Sequence, residues 1–400
     1  MRLGLILSND WEVFGDGSGD YRVVQYTPLV ECLDLVDDHG AYMSVMAEVG
    51  QQIWGFRQLG ESEKWAADIA DEWEDIVRET VRRGSDVQLH LHPQWIGAKR
   101  VDDDWVLDYD KWAIGGLEPE EIVEALSRGK RYLEDLIQPI APSYQCHTFR
   151  AGAYCIEPSK SVIAALRSLG FRSDTSVTKG MFDVQFYDYR SAPSVTRPWL
   201  IGDSVLQQAA ESDDQLLEFP IFSFRLVDSL GLRAILGGAR SRDFMYRVGL
   251  GVPYLEEDRR WFAERDRIRS IRYPASRRPM QQTKTHKIKG LLSSIGGVLS
   301  IAAWPTTVQL DYDYLPPNVF ARALERFLEK AEKSWRDDAD VILPIMASGH
   351  VKNMHNAENL DRILTETRRV LGDSLVHWTT TDAVDYWSDK EHTSNLVQHA

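Results

Sequence analysis

Two histidines stand two residues apart in Asp86-Val-Gln-Leu-His-Leu-His-Pro-Gln-Trp95, a short apolar stretch that stops at a proline. On a strand, residues i and i+2 leave the same face, so His90 and His92 would turn both imidazoles to one place. Neutral imidazole is the commonest nitrogen ligand for a metal, and two on one face make half a site. The plain alternative is a pair of polar residues at a strand mouth. Oxygen ligands elsewhere would decide between them. Asp10 and Glu12, in Ser8-Asn-Asp-Trp-Glu12, share a face if the apolar run at 3–7 continues as a strand, and a Gly- and Asp-rich loop follows at 15–20. Either carboxylate alone would be an ordinary solvated loop residue; two beside such a loop suggest chemistry.

The elements that must position these residues follow a regular cadence. Residues 3–7 read as a buried strand without helical period. A helix opens at Pro28 with Leu29, Cys32, Leu33 and Val36 on one face and ends at Gly40. A strand at 41–49 precedes a long amphipathic helix at 62–83, with Ser62 as N-cap and Trp65, Ile69, Trp73, Ile76 and Val77 as its core face. The histidine strand at 87–92 follows. This β-α-β-α-β order implies a parallel sheet or barrel. A long polar and aromatic loop occupies 96–116, and a helix at 118–137 carries Pro119 and acidic residues in its first turn. A strand at 143–149 delivers Arg150-Ala-Gly-Ala-Tyr154, a helix spans 159–169, and 171–177 runs from strand into loop through Asp174. Later segments continue the pattern: strands at 216–222, 308–312, 341–346 and 375–379, and helices at 317–333, 356–370 (capped by Asn356) and 381–387. Strand 341–346 leads into Ser348-Gly-His-Val-Lys-Asn353. Polar residues gathered after each strand are how a barrel active site reads in sequence.

The totals fit one such domain. The chain has 400 residues, 43% hydrophobic and 27% charged, an ordinary composition with ample core. A net charge of −15 argues against nucleic acid as a partner. Cys32, Cys146 and Cys155 include no CxxC, so neither a disulfide framework nor a zinc knuckle is indicated. The apolar run at the start is too short for a signal peptide, and no window offers the roughly 20 apolar residues of a membrane span. The expected compartment is the cytoplasm. Between 240 and 289 the chain carries 14 Lys and Arg against 6 Asp and Glu, and an apolar, glycine-bearing stretch follows to Trp304. A peripheral membrane contact through 240–304 is one reading. Packing on the barrel or on a second subunit is the simpler one. Three parts are therefore expected: 1–235 as the first part of the barrel, 236–305 as an insertion, and 306–400 as the last part.

The set of strand ends resembles the polysaccharide deacetylases of the NodB-homology (carbohydrate esterase) family. The motifs that carry the resemblance are Ser8-Asn-Asp-Trp-Glu12, His90-Leu-His-Pro93, Phe149-Arg-Ala-Gly-Ala-Tyr154, Asp174-Thr-Ser-Val177 and Ser348-Gly-His-Val-Lys-Asn353, in chain order across most of the sequence. The resemblance implies a distorted (β/α) barrel and a metal-dependent hydrolase acting on a linear amide of an N-acetylated sugar. The chain departs from the family in two places. The usual adjacent aspartates are split by Trp11, so Asp10 takes the first place and Glu12 the second, or else Asp10 binds metal and Asn9 stands where the base should be. The second motif usually spaces its histidines four apart, but position 94 is Gln, so either His92 serves as the second imidazole or the site has only one.

On this resemblance, a divalent metal, zinc being the first choice, would sit on His90, His92 and a carboxylate from Asp10 or Glu12. Asp10 would be the general base, Arg150 its ion-pair partner, and Asp174 the group that orients Arg150. The backbone near Tyr154 is a candidate oxyanion donor. His350, as imidazolium, would protonate the leaving amine, which calls for a carboxylate neighbour. Trp11 and Trp95 are expected to stack on sugar rings. Outside this scheme Arg150 would be a salt-bridging arginine and His350 a satisfied loop histidine. Three functions stay open: a sugar N-deacetylase in surface-polysaccharide metabolism, a related hydrolase of another amide or a phosphoester, and a silent glycan-binding or scaffold protein.

Overall fold

Strand β1, Arg2–Trp11, is buried along its whole length except at Arg2. It runs four residues beyond the apolar stretch because its polar residues find partners inside. Ser8 Oγ donates to the Ala347 carbonyl at 2.7 Å, Asn9 Nδ2 donates to the Tyr312 hydroxyl at 2.7 Å, and Asp10 pairs with Arg150. These partners offset much of the cost of burying them, and the ladder continues. The computed structural model describes residues 1–183, 185–209, 216–225, 307–334 and 341–388. The insertion expected at 236–305 lies outside the described residues.

The remaining strands of the main sheet are β2 (Met43–Glu48), β3 (Asp86–Leu91), β4 (Thr148–Ala151), β5 (Ser173–Asp174), β6 (Trp199–Leu200), β7 (Leu217–Glu218), β8 (Ile342–Ala347) and β9 (Leu375–His377). The nine strands lie in the order β6-β7-β5-β4-β3-β2-β1-β8, with β9 also on β1. Every pairing is parallel except β6 with β7. Helices α1 (Thr27–Asp38), α2 (Lys64–Arg82), α3 (Pro119–Ile137) and α4 (Lys160–Ser168) follow β1 to β4 in turn, the alternation a parallel sheet requires. Helix α5 (Pro317–Ser334) precedes β8, α6 (Glu358–Leu371) joins β8 to β9, and α7 (Thr380–Ser388) closes the described chain. The sheet curls. Past β7 the chain meets β8, where the Phe222 N–H donates to the Met346 carbonyl at 2.9 Å and Ile221 forms a parallel bridge with Met346.

One helix start differs from expectation, and another matches it. Ser62 does not cap α2; its hydroxyl donates back to the Leu59 carbonyl, closing the preceding turn, and Glu63 takes the cap position. Helix α3 begins with a reciprocal capping box between Glu118 and Glu121, behind Pro119. Trp73 is fully buried, but Trp65, expected in the core, is 40% exposed and lies under the Arg100 guanidinium at 5.1 Å. It stands eight residues before Trp73, in the first turn of α2.

At Gly4 the close packing leaves no room for a side chain, because a Cβ there would stand 2.4 Å from the Trp378 ring. Gly4→Ala should therefore destabilise the chain by about 1–3 kcal/mol through overpacking. Thermal denaturation checks this, and an unchanged melting temperature would show that Trp378 moves aside freely.

Candidate metal and hydrolytic centre

The C-terminal ends of the parallel strands converge on one cluster, the position where parallel α/β sheets place their ligands. From β1 come Asp10 and Glu12, from β2 Glu48, from β3 His90 and His92, from β4 Arg150, and from the turn after β8 His350 and Lys352. His90 and His92 are both buried, with ring centroids 4.9 Å apart and planes nearly perpendicular. His90 Nδ1 lies 3.0 Å from the Arg150 carbonyl, the residue opposite it in the β3–β4 register. That carbonyl only accepts, so Nδ1 carries the proton and Nε2 keeps its lone pair. The lone pair meets no hydrogen-bond donor.

His92 is held from three sides. Its N–H donates to Glu48 Oε2 at 2.7 Å, and its Nδ1 lies 3.0 Å from the Gln94 amide, whose own oxygen has no partner as placed. Exchanging the amide atoms lets that oxygen accept from Nδ1–H, which frees Nε2 here as well. Gln94 thus supports His92 instead of reaching the centre itself. The third support is Gly152, where a Cβ would stand 2.6 Å from His92 Cγ.

Both free imidazole nitrogens face Glu12. Its Oε2 lies 2.5 Å from His92 Nε2 and 3.7 Å from His90 Nε2, while Oε1 is bound by Lys352 Nζ. Glu12, Glu48, His90 and His92 bring one ligand atom each within 4.8 Å of one another. A tetrahedral ion with bonds near 2.05 Å separates its ligands by about 3.4 Å. The His90 spacing matches this, and His92 need only swing outward slightly. Orphaned, buried, converging donors of N and O type fit a divalent cation. Burial opposes the charge on Glu12, but its neighbours His92 and Lys352 hold its carboxyl well below the usual range. Glu48 differs: burial, reinforced by the Glu12 charge, pushes it up to about 7.

Beside this cluster lies a second one. Arg150 is fully buried and donates from Nη1 to Asp10 Oδ1 at 2.5 Å, while the Thr175 carbonyl, the Thr175 hydroxyl and Ser8 Oγ fix its other nitrogens. Against a large burial penalty, Arg150 and the nearby histidines drive the Asp10 carboxyl far below its ordinary value. His350 stands between two carboxylates, Nε2 3.4 Å from Asp10 Oδ2 and Nδ1 3.7 Å from Asp313 Oδ2. Burial opposes its charge, but these carboxylates prevail and raise its pKa from 6.5 to about 10. The carboxylate neighbour that an imidazolium needs is therefore present twice. Asp313 also accepts the His350 N–H at 2.6 Å, and the Tyr312 N–H bonds the Ser348 carbonyl, which brings this segment alongside β8.

Several expected site residues stand elsewhere. Asp174 does not hydrogen-bond Arg150; Thr175 orients it. The Asp174 carboxyl accepts from the Ser176 N–H and hydroxyl and lies against Glu218 across the β5–β7 register, where burial raises both groups above the usual carboxylate range. Trp11 is fully buried, stacks on Trp73 at 5.1 Å and donates its indole N–H to the Gln25 carbonyl. Trp95 is 2% exposed and packs edge-on against Trp105. Neither offers a face to a sugar. Trp112 does lie beside the centre, 6.2 Å from the His92 ring and next to Phe186. Tyr154 reaches the rim, its hydroxyl bonded to Ser348 Oγ at 2.9 Å and accepting from Gln309. Asn9 faces Tyr312, on the side of β1 away from Asp10, so it does not stand in for the base. Sequence reading did not single out Glu48, Asp313 or Lys352. Glu48 had one usable signal, a carboxylate ending a buried strand next to the histidine strand.

No known family matches the sequence, and no curated protein matches it. Among solved structures, a probable polysaccharide deacetylase from Pseudomonas aeruginosa PAO1 aligns with a TM-score of 0.45 at 9% identity, over 98% of this chain and 91% of that one. A GH57-type branching enzyme from the hyperthermophilic archaeon Pyrococcus horikoshii gives 0.45 at 12%, over 96% and 70%. The Puue allantoinase gives 0.42 at 8%, over 98% and 91%. Similarity of this degree assigns neither family nor activity. The chemistry rests on the side chains described above.

Two outcomes follow from this geometry. Gly152→Ala should weaken Zn2+ binding about 10- to 100-fold by displacing the His92 ring, read by competition with a chromophoric chelator. Unchanged affinity would remove His92 from the ligand set. The second concerns pH. His350 has a folded pKa of about 10 against 6.5, so its contribution is complete below about 6.5 and is lost as pH rises through 10. The melting temperature of the wild type should therefore fall between pH 7 and 10 more steeply than that of His350→Gln, and parallel curves would contradict the pairing.

Proposed function

We propose that the chain is a metal-dependent hydrolase that removes an acyl group from an N-acylated sugar or glycan precursor. The observation that carries this reading is the convergence of two bare, buried imidazole nitrogens on Glu12 Oε2, with Asp10 one same-face position away. Glu12, His90 and His92 would hold the ion, with Glu48 beside them. Once bound, a divalent cation polarises an acyl oxygen and acidifies water. The same reading takes the curled sheet as a distorted barrel, joined where Ile221 meets Met346.

The protein's own groups then divide the work. Asp10 takes the proton of the attacking water. Its carboxyl is a weak base, because Arg150 and His350 stabilise its charge, so it works only on water that is already acidified. Arg150, fixed by Thr175 and Ser8, keeps Oδ1 occupied and Oδ2 turned to the reaction. Asp10 and His350 touch each other, and this links the two proton transfers. When Asp10 accepts a proton it loses the charge that holds His350 protonated, and the imidazolium becomes a stronger acid as the leaving amine needs one. Asp313 keeps the ring oriented throughout. Phe186, half-buried and packed on the buried Trp112, offers the flat surface that Trp11 and Trp95 do not, and the strained left-handed pair Ala153 and Tyr154, at φ of 51° and 61°, shapes the rim.

Acetate release from N-acetylhexosamine oligomers and nucleotide sugars tests the reading. Asp10→Asn and His350→Ala should each lower kcat by about 10²- to 10⁴-fold, with zinc still bound. Silence of the Zn2+-loaded wild type across that panel, with turnover of another amide or a phosphoester, would move the assignment to a related hydrolase.

A further inference from the structure

The end of strand β1 and the residue just past it present carboxylates at positions 10 and 12, and the turn after β8 presents cations at positions 350 and 352. The two sets match in register: His350 meets Asp10 and Lys352 meets Glu12. The Asp10 N–H bonds the Gly349 carbonyl at 2.9 Å and keeps the segments aligned. One helical turn, Val351–Asn353, then carries Lys352 inward. Buried Val351 anchors one side of it, and Asn353 anchors the other through the Tyr314 hydroxyl at 2.7 Å and Asp313 at 3.3 Å. A lysine near a surface ordinarily extends its stem and leaves the ammonium in water. Lys352 does the reverse, with a side chain only 13% exposed and Nζ on Glu12 Oε1.

We propose that Lys352 is a resident cation that shares Glu12 with the metal, occupying Oε1 so that Oε2 alone is offered to an ion between His90 and His92. This deepens the hydrolase reading and rests on it. Two consequences follow from the placement. Glu12 is held to one-oxygen ligation, which leaves room in the coordination shell for water and an acyl oxygen. The ammonium also repels a divalent ion bound to the same carboxylate, so the site trades affinity for a charge that stays compensated when the metal is absent. Lys352 is thus a positioning residue, acting through Glu12.

Zn2+ alone, titrated into the full-length chain against a chromophoric chelator, tests this in the wild type, Lys352→Met, Lys352→Gln and Lys352→Arg. Both neutral variants should bind Zn2+ at least about tenfold more tightly, since they lose a like charge next to the ion. Without metal they should melt at lower temperature, because the Glu12 charge has lost a partner. Lys352→Arg should restore wild-type behaviour in both measurements. Zn2+ uptake by the neutral variants but not by the wild type would overturn both the sharing of Glu12 and the hydrolase reading, since the lysine would then replace the metal outright. Equal or weaker Zn2+ binding in folded neutral variants, with binding intact in the wild type, would overturn the inference and leave the metal site standing. Absence of uptake in all four proteins would overturn both.

Discussion

Two buried carboxylates, two residues apart on one face of a central strand, set the terms for this fold. Removing an ion from water costs several kcal/mol unless partners replace the solvent, and Asp10 and Glu12 are 2% and 6% exposed. Each neighbouring strand end answers that cost. Strand β4 brings Arg150 to Asp10, β3 brings the histidines to Glu12, and the turn after β8 brings a cation to each. Parallel pairing makes this possible, because it places all these residues at the same end of the sheet. The charges that would unfold the strand are thereby the charges that define the site.

The compensation is unequal, and the inequality carries the chemistry. Asp10 is matched by an arginine that cannot lose its proton and by a histidine that can. Glu12 is matched by a lysine on one oxygen, while its other oxygen faces imidazole nitrogens with nothing to accept. Glu48, without a cation of its own, rests near 7 through burial and the charge of Glu12. A divalent ion at Glu12 Oε2 completes the side of the cluster that protein groups leave unfinished.

Much of this was legible in the sequence, for a physical reason. Glu12, His90, His92, Arg150 and His350 each stand at or just past the end of a strand, and a polar residue at a parallel strand end has few places to go but the common end of the sheet. Position parity also says that Trp11, between Asp10 and Glu12, must point to the other face, and the structure puts it in the core against Trp73. The expectation that it stacks on sugar passed over that rule. Asp313 and Lys352 were less readable, since their roles depend on which segments lie side by side and not on local pattern. The same holds for Asp174, which faces Glu218 across a register no single strand reveals.

The account stands most directly on whether a metal occupies the space between Glu12, His90 and His92. Anomalous scattering at the zinc absorption edge, from crystals of the full-length chain grown with Zn2+, measures this. The account predicts one strong peak per chain, within bonding distance of Glu12 Oε2, His90 Nε2 and His92 Nε2, with Lys352 still on Oε1. A clear map with no peak there, and Glu12 bound only by Lys352 and the histidine rings, would contradict it.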